Sequence, residues 1–493
     1  MTDVTTKHPD YLKNVDLWSK VEDVCEGQHK VKAAKEKYLP RHNRQDSSAE
    51  AMAAYDSYLE HAVFYGVTGK TLGSLIGGAF SRLPNFQRPD DLEYLERNAN
   101  GQGVGIYQIA QASLRHVLKT YRCALYVDYP SVTPSKVRAE DYSKQAFPMI
   151  HVLPAKSVIN WDTIIIGNQQ KLSLVVIHEE VSSRTQGGFK FEKKDQFRVL
   201  RLEEIEGRFV FTIQVYKQNS DGALTEEPKT IPTDYNGKQW DYIPFTFVGA
   251  IDNTPVIESA PLLELADLNL AHYIDSADFQ ESVYFVGQPQ FFMENVDTAM
   301  YELIKKDGLY IGCKNAFPVK LGFAQANPNT LSQTAMEKKW EQMKELGARL
   351  VQAGSANKTA TEANNDDAVQ HSVLSLCTVN ISAAITQALR WCAKFAMPNV
   401  DSILPEELVF EISKEFSKPQ FDNERSKQLY EACVAGKYPF KVWHEYQQTG
   451  EFPDYSYEEI QDMLEEEQMN SPMPAYNMNG ANNGSNNPTG SVQ

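Results

Sequence analysis

The chain has 493 residues, more than one ordinary domain of ~100–200 residues holds, so two to four modules are expected. Hydrophobic residues make up 42%, aromatics 11% and charged residues 23%, which excludes a wholly disordered or fibrous chain. With 48 Lys+Arg against 65 Asp+Glu the net charge is -17, which excludes a protein that coats nucleic acid by electrostatic attraction.

The first third reads as helical. An apolar-periodic run from Ala49 to Leu83 stops at Pro84, whose ring and missing N–H end helices. A further helix is expected from Gly105 to Tyr121, after the glycine-rich turn Gly101-Gln102-Gly103-Val104-Gly105. From Ala124 to Val248, β-branched and aromatic residues alternate with polar ones, which predicts antiparallel strands in long hairpins. Turn signals at Gln186-Gly187-Gly188, Ser220-Asp221-Gly222 and Asn236-Gly237 agree with that pattern.

Helical spacing returns from Ser259 to Phe285, with Pro261 expected in the first turn and Leu262, Ala266, Leu270, Tyr273, Ile274 and Ala277 on one flank. A second helix, Gln333 to Gln352, aligns Met336, Trp340, Met343 and Leu350 and is expected to end at Gly354. A third is predicted from the capping string Thr359-Ala360-Thr361-Glu362 to Met397, before Pro398; at 1.5 Å per residue it would be a strut of roughly 55 Å. A short strand (Leu408 to Ile412) and small helices near Asn423 to Val434, Pro439 to Gln448 and Ser456 to Glu467 follow. Beyond Met469 the Asn-, Gly- and Pro-rich segment cannot offset the entropy of ordering and reads as a flexible tail.

Sites of chemistry are scarce. Cys25, Cys123, Cys313, Cys377, Cys392 and Cys433 show no C-x-x-C pair and no zinc-like spacing to His, so neither metal nor disulfide framework is expected, and a reduced intracellular compartment is. No signal peptide opens the chain and no run of ~18 apolar residues stands out, so secretion and membrane spanning are not expected. Gly66-Val67-Thr68-Gly69-Lys70-Thr71 ends like a phosphate-binding loop, but Phe64 stands where its first glycine belongs and no strand precedes it. The Gly101-x-Gly103-x-Gly105 run likewise lacks the strand and downstream acid of a dinucleotide site. No H-E-x-x-H or G-x-S-x-G string occurs, so no catalytic residue and no cofactor are assigned.

One stretch departs from the average. Gln239 to Ile304 contains no Lys or Arg, where roughly six would be expected at the chain's usage. It carries Asp241, Asp252, Glu258, Glu264, Asp267, Asp275, Asp278, Glu281, Glu294, Asp297 and Glu302. A helix with acids and no local cations forgoes the i,i+4 ion pairs that stabilise exposed helices. From the residues alone, a solvated acidic face and a face selected to repel anions both remain open.

The order of these elements resembles a tailed-bacteriophage portal protein. The strings Gly78-Ala79-Phe80-Ser81-Arg82-Leu83-Pro84, Leu125-Tyr126-Val127-Asp128-Tyr129-Pro130, Lys358-Thr359-Ala360-Thr361-Glu362-Ala363, Ser372-Val373-Leu374 and Ala388-Leu389-Arg390-Trp391-Cys392-Ala393 are similar to a portal-like family first described as a domain of unknown function. The likeness is collective and runs from about Tyr55 to Glu467. It implies an α+β portal-like subunit: residues 1–127 a mostly helical N-terminal wing, 128–180 wing strands, 181–250 a β-rich segment containing the clip, 251–290 the stem helix, 291–400 wing with a tunnel loop (353–358) and the long helix (359–397), 401–468 a strand and helical crown, 469–493 the tail. The family pattern has a first stem helix before the clip, and none is evident before Val181.

The resemblance further implies a ring, usually of twelve copies, at one capsid vertex of the virion, assembled in the host cytoplasm. It would pass double-stranded DNA without sequence-specific binding, and dock the major capsid protein, the terminase large subunit and then a tail adaptor, with no membrane contact and no enzymatic activity. Glu264, Asp267, Asp275 and Asp278 would line the channel, with the apolar flank packed on a neighbouring subunit, and Gly354, Ser355, Ala356, Asn357 and Lys358 would form the tunnel loop. A conduit gains from acids because each phosphate neutralised by a cation adds affinity that stalls sliding, and a ring repeats every charge. A ring nucleotidase using Gly69-Lys70-Thr71 and a monomeric adaptor are the competing classes.

Overall fold

His8 and Pro9 set the start of helix α1 (Pro9–Glu26). The imidazole Nδ1 accepts from the Asp10 N–H at 3.1 Å, and Pro9 sits in the first turn, where its missing N–H leaves no bond unmade. Gly27, at φ 94°, turns the chain into α2 (Gln28–Ala33). The computed structural model describes residues 3–129, 146–184, 188–189, 191–219, 222–287, 290–294, 297–298, 302, 320–324, 330–350, 372–414, 416, 423–449, 452 and 455–470.

The apolar run from Ala49 to Leu83 is two helices, not one: α3 (Ala49–His61), capped by Ser48 Oγ on the Ala51 N–H at 3.2 Å, and α4 (Val67–Ala79). The chain leaves helical geometry at Ala62 (ψ 138°) because the linker has better partners. Ala62 and Phe64 are buried, and the Phe64 N–H donates to Gln28 Oε1 at 3.1 Å. Strand β1 (Asn85–Gln87) follows. The glycine run is then a tight turn: Gly101 and Gly103 have φ of 76° and 82°, and a Cβ at Gly105 would lie 2.1 Å from the Glu96 carbonyl. It launches α5 (Ile106–Thr120), whose Ile106, Ile109, Ala110, Leu114, Val117 and Leu118 are buried at helical spacing.

The β-rich stretch folds as expected, into antiparallel sheets. Strands β2 (Arg122–Asp128), β3 (Met149–Pro154) and β9 (Phe245–Gly249) form one sheet in the order β3-β2-β9. The meander β4 (Val158–Ile166), β5 (Gln169–Arg184), β6 (Phe191–Ile205), β7 (Arg208–Gln218) and β8 (Leu224–Glu226) forms the other, in sequence order. Arg198 on β6 ties the sheets, bonding Asp128 at 2.8 Å and Glu179 at 3.0 Å. Pairing of β5 and β6 continues from Glu180/Asp195 to Arg184/Phe191, past the ends of their outer neighbours, so a two-stranded ribbon projects by about 17 Å at ~3.3 Å per residue. Of the predicted turns, residues 186–187 and 220–221 lie outside the described residues, and Gly237 takes φ 75° as its turn requires.

Helix α6 (Leu263–Val286) comes next, with Pro261 in a turn ahead of it rather than inside its first turn. Strands β10 (Gln290–Glu294) and β11 (Lys320–Ala324) pair antiparallel, and α7 (Leu331–Arg349) packs along α6. Helix α8 (Val373–Ala396) stops before Pro398 as predicted but begins well inside the expected 359–397 strut. Ser372 is extended (ψ 153°) and its hydroxyl accepts from the Ser375 N–H at 3.1 Å, a true N-cap, so the helix is about 36 Å long at ~1.5 Å per residue. The capping string at Thr359 lies outside the described residues. Among those residues α8 alone is long and apolar enough to cross a membrane, yet Leu374, Cys377, Ile381, Ile385, Ala388, Leu389 and Cys392 are buried in the core with α5 and β2. Strand β12 (Val409–Glu411) pairs with β1.

The chain divides into two units, Met1–Phe416 and Ser417–Gln493. Among the described residues the second holds α9 (Asn423–Val434) and α10 (Phe440–Thr449), packed around Leu429, Cys433, Val442 and Tyr446, followed by α11 (Tyr457–Asn470). These helices match the small helices expected from sequence; residues 471–493 lie outside the described residues.

Candidate functional site

The cation-free stretch folds around α6, which α1, α3, α4 and α7 surround. Leu262, Ala266, Tyr273 and Ala277 are fully buried within this one chain, and Tyr273 meets Phe64 edge-on at 5.7 Å. The expectation that this flank packs on a neighbouring subunit is therefore corrected: the chain's own N-terminal helices cover it. Asn269, also fully buried, fastens α4. Its Oδ1 accepts from the Thr68 N–H at 3.1 Å and the Thr68 hydroxyl at 3.0 Å, and its Nδ2 donates to the Tyr65 carbonyl at 2.8 Å.

The acids have partners as well. Asp267 meets Lys20 of α1 at 2.6 Å, Asp275 pairs with Lys339 of α7, and Asp278 accepts from the Tyr58 hydroxyl at 2.6 Å. Glu281 lies 3.2 Å from His42 Nε2. Burial and then the Asp278 contact push the Tyr58 hydroxyl far above its ordinary pKa, and burial pushes Tyr273 up to about 12, so both stay protonated and the Tyr58 proton stays in its bond. Burial lowers the pKa of His272, which faces Tyr65 edge-on at 5.4 Å, and keeps it neutral.

The four sequence-selected acids do share one flank, as three- and eleven-residue spacings require, but they do not form an unpaired row. Glu264 is exposed with no ion pair among the described residues, Asp267 remains 52% exposed beside Lys20, and Asp275 is 21% exposed under Lys339. Lys20, Lys339, His42 and Tyr58 are the residues that sequence reasoning missed. A signal existed in the Lys338-Lys339 doublet on the mostly exposed α7. Asp241 similarly meets Lys171 at 3.2 Å. The set has the chemistry of tie points between helices. Among the described residues no group of three His, Cys, Asp or Glu side chains could hold a metal ion.

The Gly66–Thr71 segment has a packing explanation. Gly66 precedes α4, Thr68 is bonded to Asn269, and a Cβ at Gly69 would lie 2.5 Å from the Cys25 carbonyl, so this glycine lets α4 cross the end of α1. Lys70 lines a groove of about 390 Å³ between α4 and α7, with Tyr65, Thr71, Trp340, Met343 and Lys344. The predicted α7 stripe is divided: Met343 is buried and Trp340 is 40% exposed over this groove. The predicted tunnel loop, Gly354, Ser355, Ala356, Asn357 and Lys358, lies outside the described residues.

A family model described as a domain of unknown function (DUF4055) matches residues 261–396, well under half of the chain but including α6, α7 and α8. No curated protein matches. Among solved structures the chain is similar to the neck of an empty GTA particle computed with C6 symmetry, at 15% identity and TM-score 0.36 over 83% of this chain and 92% of that one. It is also similar to the neck of a native GTA particle computed with C12 symmetry, at 13% identity and TM-score 0.37 over the same shares.

Proposed function

We propose that this chain is a subunit of a portal-like head-to-tail connector in a phage or phage-like virion: a ring of identical copies at one capsid vertex, with a channel for double-stranded DNA and no enzymatic activity. The observation that carries the reading is the order of elements. The helical first third, the antiparallel stretch from Arg122 to Gly249, the acidic helix α6, the apolar helix α8 and the separate helical C-terminal unit follow one another in the order that the portal resemblance implies: wing, wing strands and clip, stem, long wing helix and crown.

Exposed apolar side chains support an assembly. The β5–β6 ribbon carries Val181, Phe189 and Phe191 at 43%, 95% and 59% exposure, and an isolated two-stranded ribbon is marginal in water. In this reading the ribbon belongs to the clip, which meets the terminase large subunit and later a tail adaptor, while the wing meets the major capsid protein. Assembly takes place in the host cytoplasm before DNA enters. The channel role proposed for α6 rests on Glu264, which is exposed, and on Asp267, which stays 52% exposed while tied to Lys20 of α1, with Asp275 and Asp278 serving as ties to α7 and α3.

Charge reversal of the exposed pair tests the reading. Glu264→Lys with Asp267→Lys should leave assembly intact and make rings retain DNA, with retention that weakens steeply as salt rises. Rings of this variant that package and release DNA like the parent at low salt would remove α6 from the channel.

A further inference from the structure

The C-terminal unit has a small core for its length. Four buried side chains, Leu429, Cys433, Val442 and Tyr446, join α9 and α10. A unit of this size buries too little apolar surface to be well stabilised alone. It nevertheless leaves Tyr430, Val434 and Phe440 at 45%, 63% and 44% exposure. Tyr430 and Val434 are one turn apart on α9, and the Tyr430 ring lies 6.1 Å from Phe440 and 5.2 Å from Trp443, so these residues form one aromatic patch. Exposed lysines stand near it in sequence: Lys427 one turn before Tyr430, Lys437 in the turn between the helices, and Lys441 next to Phe440, with its ammonium 5.6 Å from the centre of the Tyr455 ring.

Helix α11 has the opposite character. Its stripe Ile460, Met463, Leu464 and Glu467 is half-buried, and Glu467 accepts from the Phe440 N–H at 3.2 Å in the same chain. Its other face exposes Tyr457, Glu458, Asp462, Glu465 and Glu466, with Tyr457 at 76%. One unit thus carries a lysine-flanked aromatic patch and, on a different helix, an acidic face led by an exposed tyrosine.

We propose that the patch of α9 and α10 in one copy receives the acidic face of α11 from a second copy of this chain. The two faces differ, so the contact is head-to-tail and repeats from copy to copy, closing as a ring when the rotation permits. Tyr457 supplies an aromatic contact to Tyr430 and Phe440, and the acids meet Lys437 and Lys441. The proposal deepens the ring reading above, and rests on it for closure.

The full-length chain tests it. Lys437→Glu with Lys441→Glu should raise the concentration at which the oligomer half-dissociates by ~10-fold or more, and Asp462→Lys with Glu465→Lys should do the same. Combining the four changes should recover most of the loss, which mere unfolding of a variant would not do. Separately, a chain carrying Val434→Cys and Asp462→Cys should give a ladder of disulfide-linked multimers under mild oxidation, while Val434→Cys alone gives none beyond dimers. Unchanged dissociation in both charge variants and no ladder, with the parent still oligomeric by light scattering, would overturn this interface and leave the ring reading standing. A parent that is monomeric at every concentration would overturn both.

Discussion

Replacing Asn269 with Ala removes the α6 side chain that bonds the start of α4. Three groups lose a partner: the Thr68 N–H, the Thr68 hydroxyl and the Tyr65 carbonyl, bonded at 3.1, 3.0 and 2.8 Å. The hydroxyl keeps only a 3.5 Å contact to the Leu265 carbonyl. Leaving a buried polar group unsatisfied costs about 1–3 kcal/mol. With Asn269 fully buried and Thr68 likewise, the expected loss is about 3 kcal/mol. For a unit of Met1–Phe416, with an unfolding entropy of about 2.1 cal/mol/K per residue, that corresponds to a drop of about 3 °C in the thermal midpoint. Thr68→Val, which keeps the N–H bond, should cost about 1 kcal/mol, and the double variant should lose less than the sum of the two. Hydrogen exchange gives the local readout: the Thr68 amide should lose protection in Asn269→Ala and keep it in Thr68→Val. A stability within 0.5 kcal/mol of the parent, roughly the limit for neutral surface changes, together with an unchanged Thr68 amide, would refute the assignment of Asn269 as the tie.

Two further outcomes follow from the packing and burial of single residues. Gly69→Ala should destabilise the protein by driving α4 away from the Cys25 carbonyl, whereas Lys70→Ala should leave thermal stability unchanged; equal stability of both variants would remove the helix-crossing explanation of this glycine. Burial lowers the His116 pKa to about 4, so between pH 6.5 and about 4 the unfolded chain binds a proton that the folded chain refuses. Its contribution is full above pH 6.5 and falls by about 1.4 kcal/mol per pH unit as acid is added, and denaturant titrations of His116→Gln should show a shallower decline than the parent over that window.

Periodicity carried most of the secondary structure, because it records which residues must be buried. The stripes of α5 and α8 and the boundaries of α9 follow from apolar spacing and turn residues alone. The start of α8 was less legible: the string Thr359-Ala360-Thr361-Glu362 suggested a longer strut, while Ser372 caps α8 by accepting from the Ser375 N–H. The break between α3 and α4 was hidden for a similar reason, since Ala62 and Phe64 are apolar at helical spacing but are buried against other elements. The acidic stretch shows the sharper limit. Absence of Lys and Arg between Gln239 and Ile304 says nothing about cations brought by folding, and Lys20 and Lys339 come from helices outside that stretch. Long-range ion pairing leaves no periodic trace. The glycines of Gly66–Thr71 likewise looked chemical and are accounted for by the close approach of α4 to α1.

Electron micrographs of the purified full-length chain, with its mass measured by light scattering on the same sample, test the ring most directly. The expected result is a closed ring with a central hole wide enough for a duplex of ~20 Å, and a mass that is an integral multiple of one 493-residue chain, near twelve. A mass equal to one chain at all concentrations, with particles that show no hole, would contradict the connector reading.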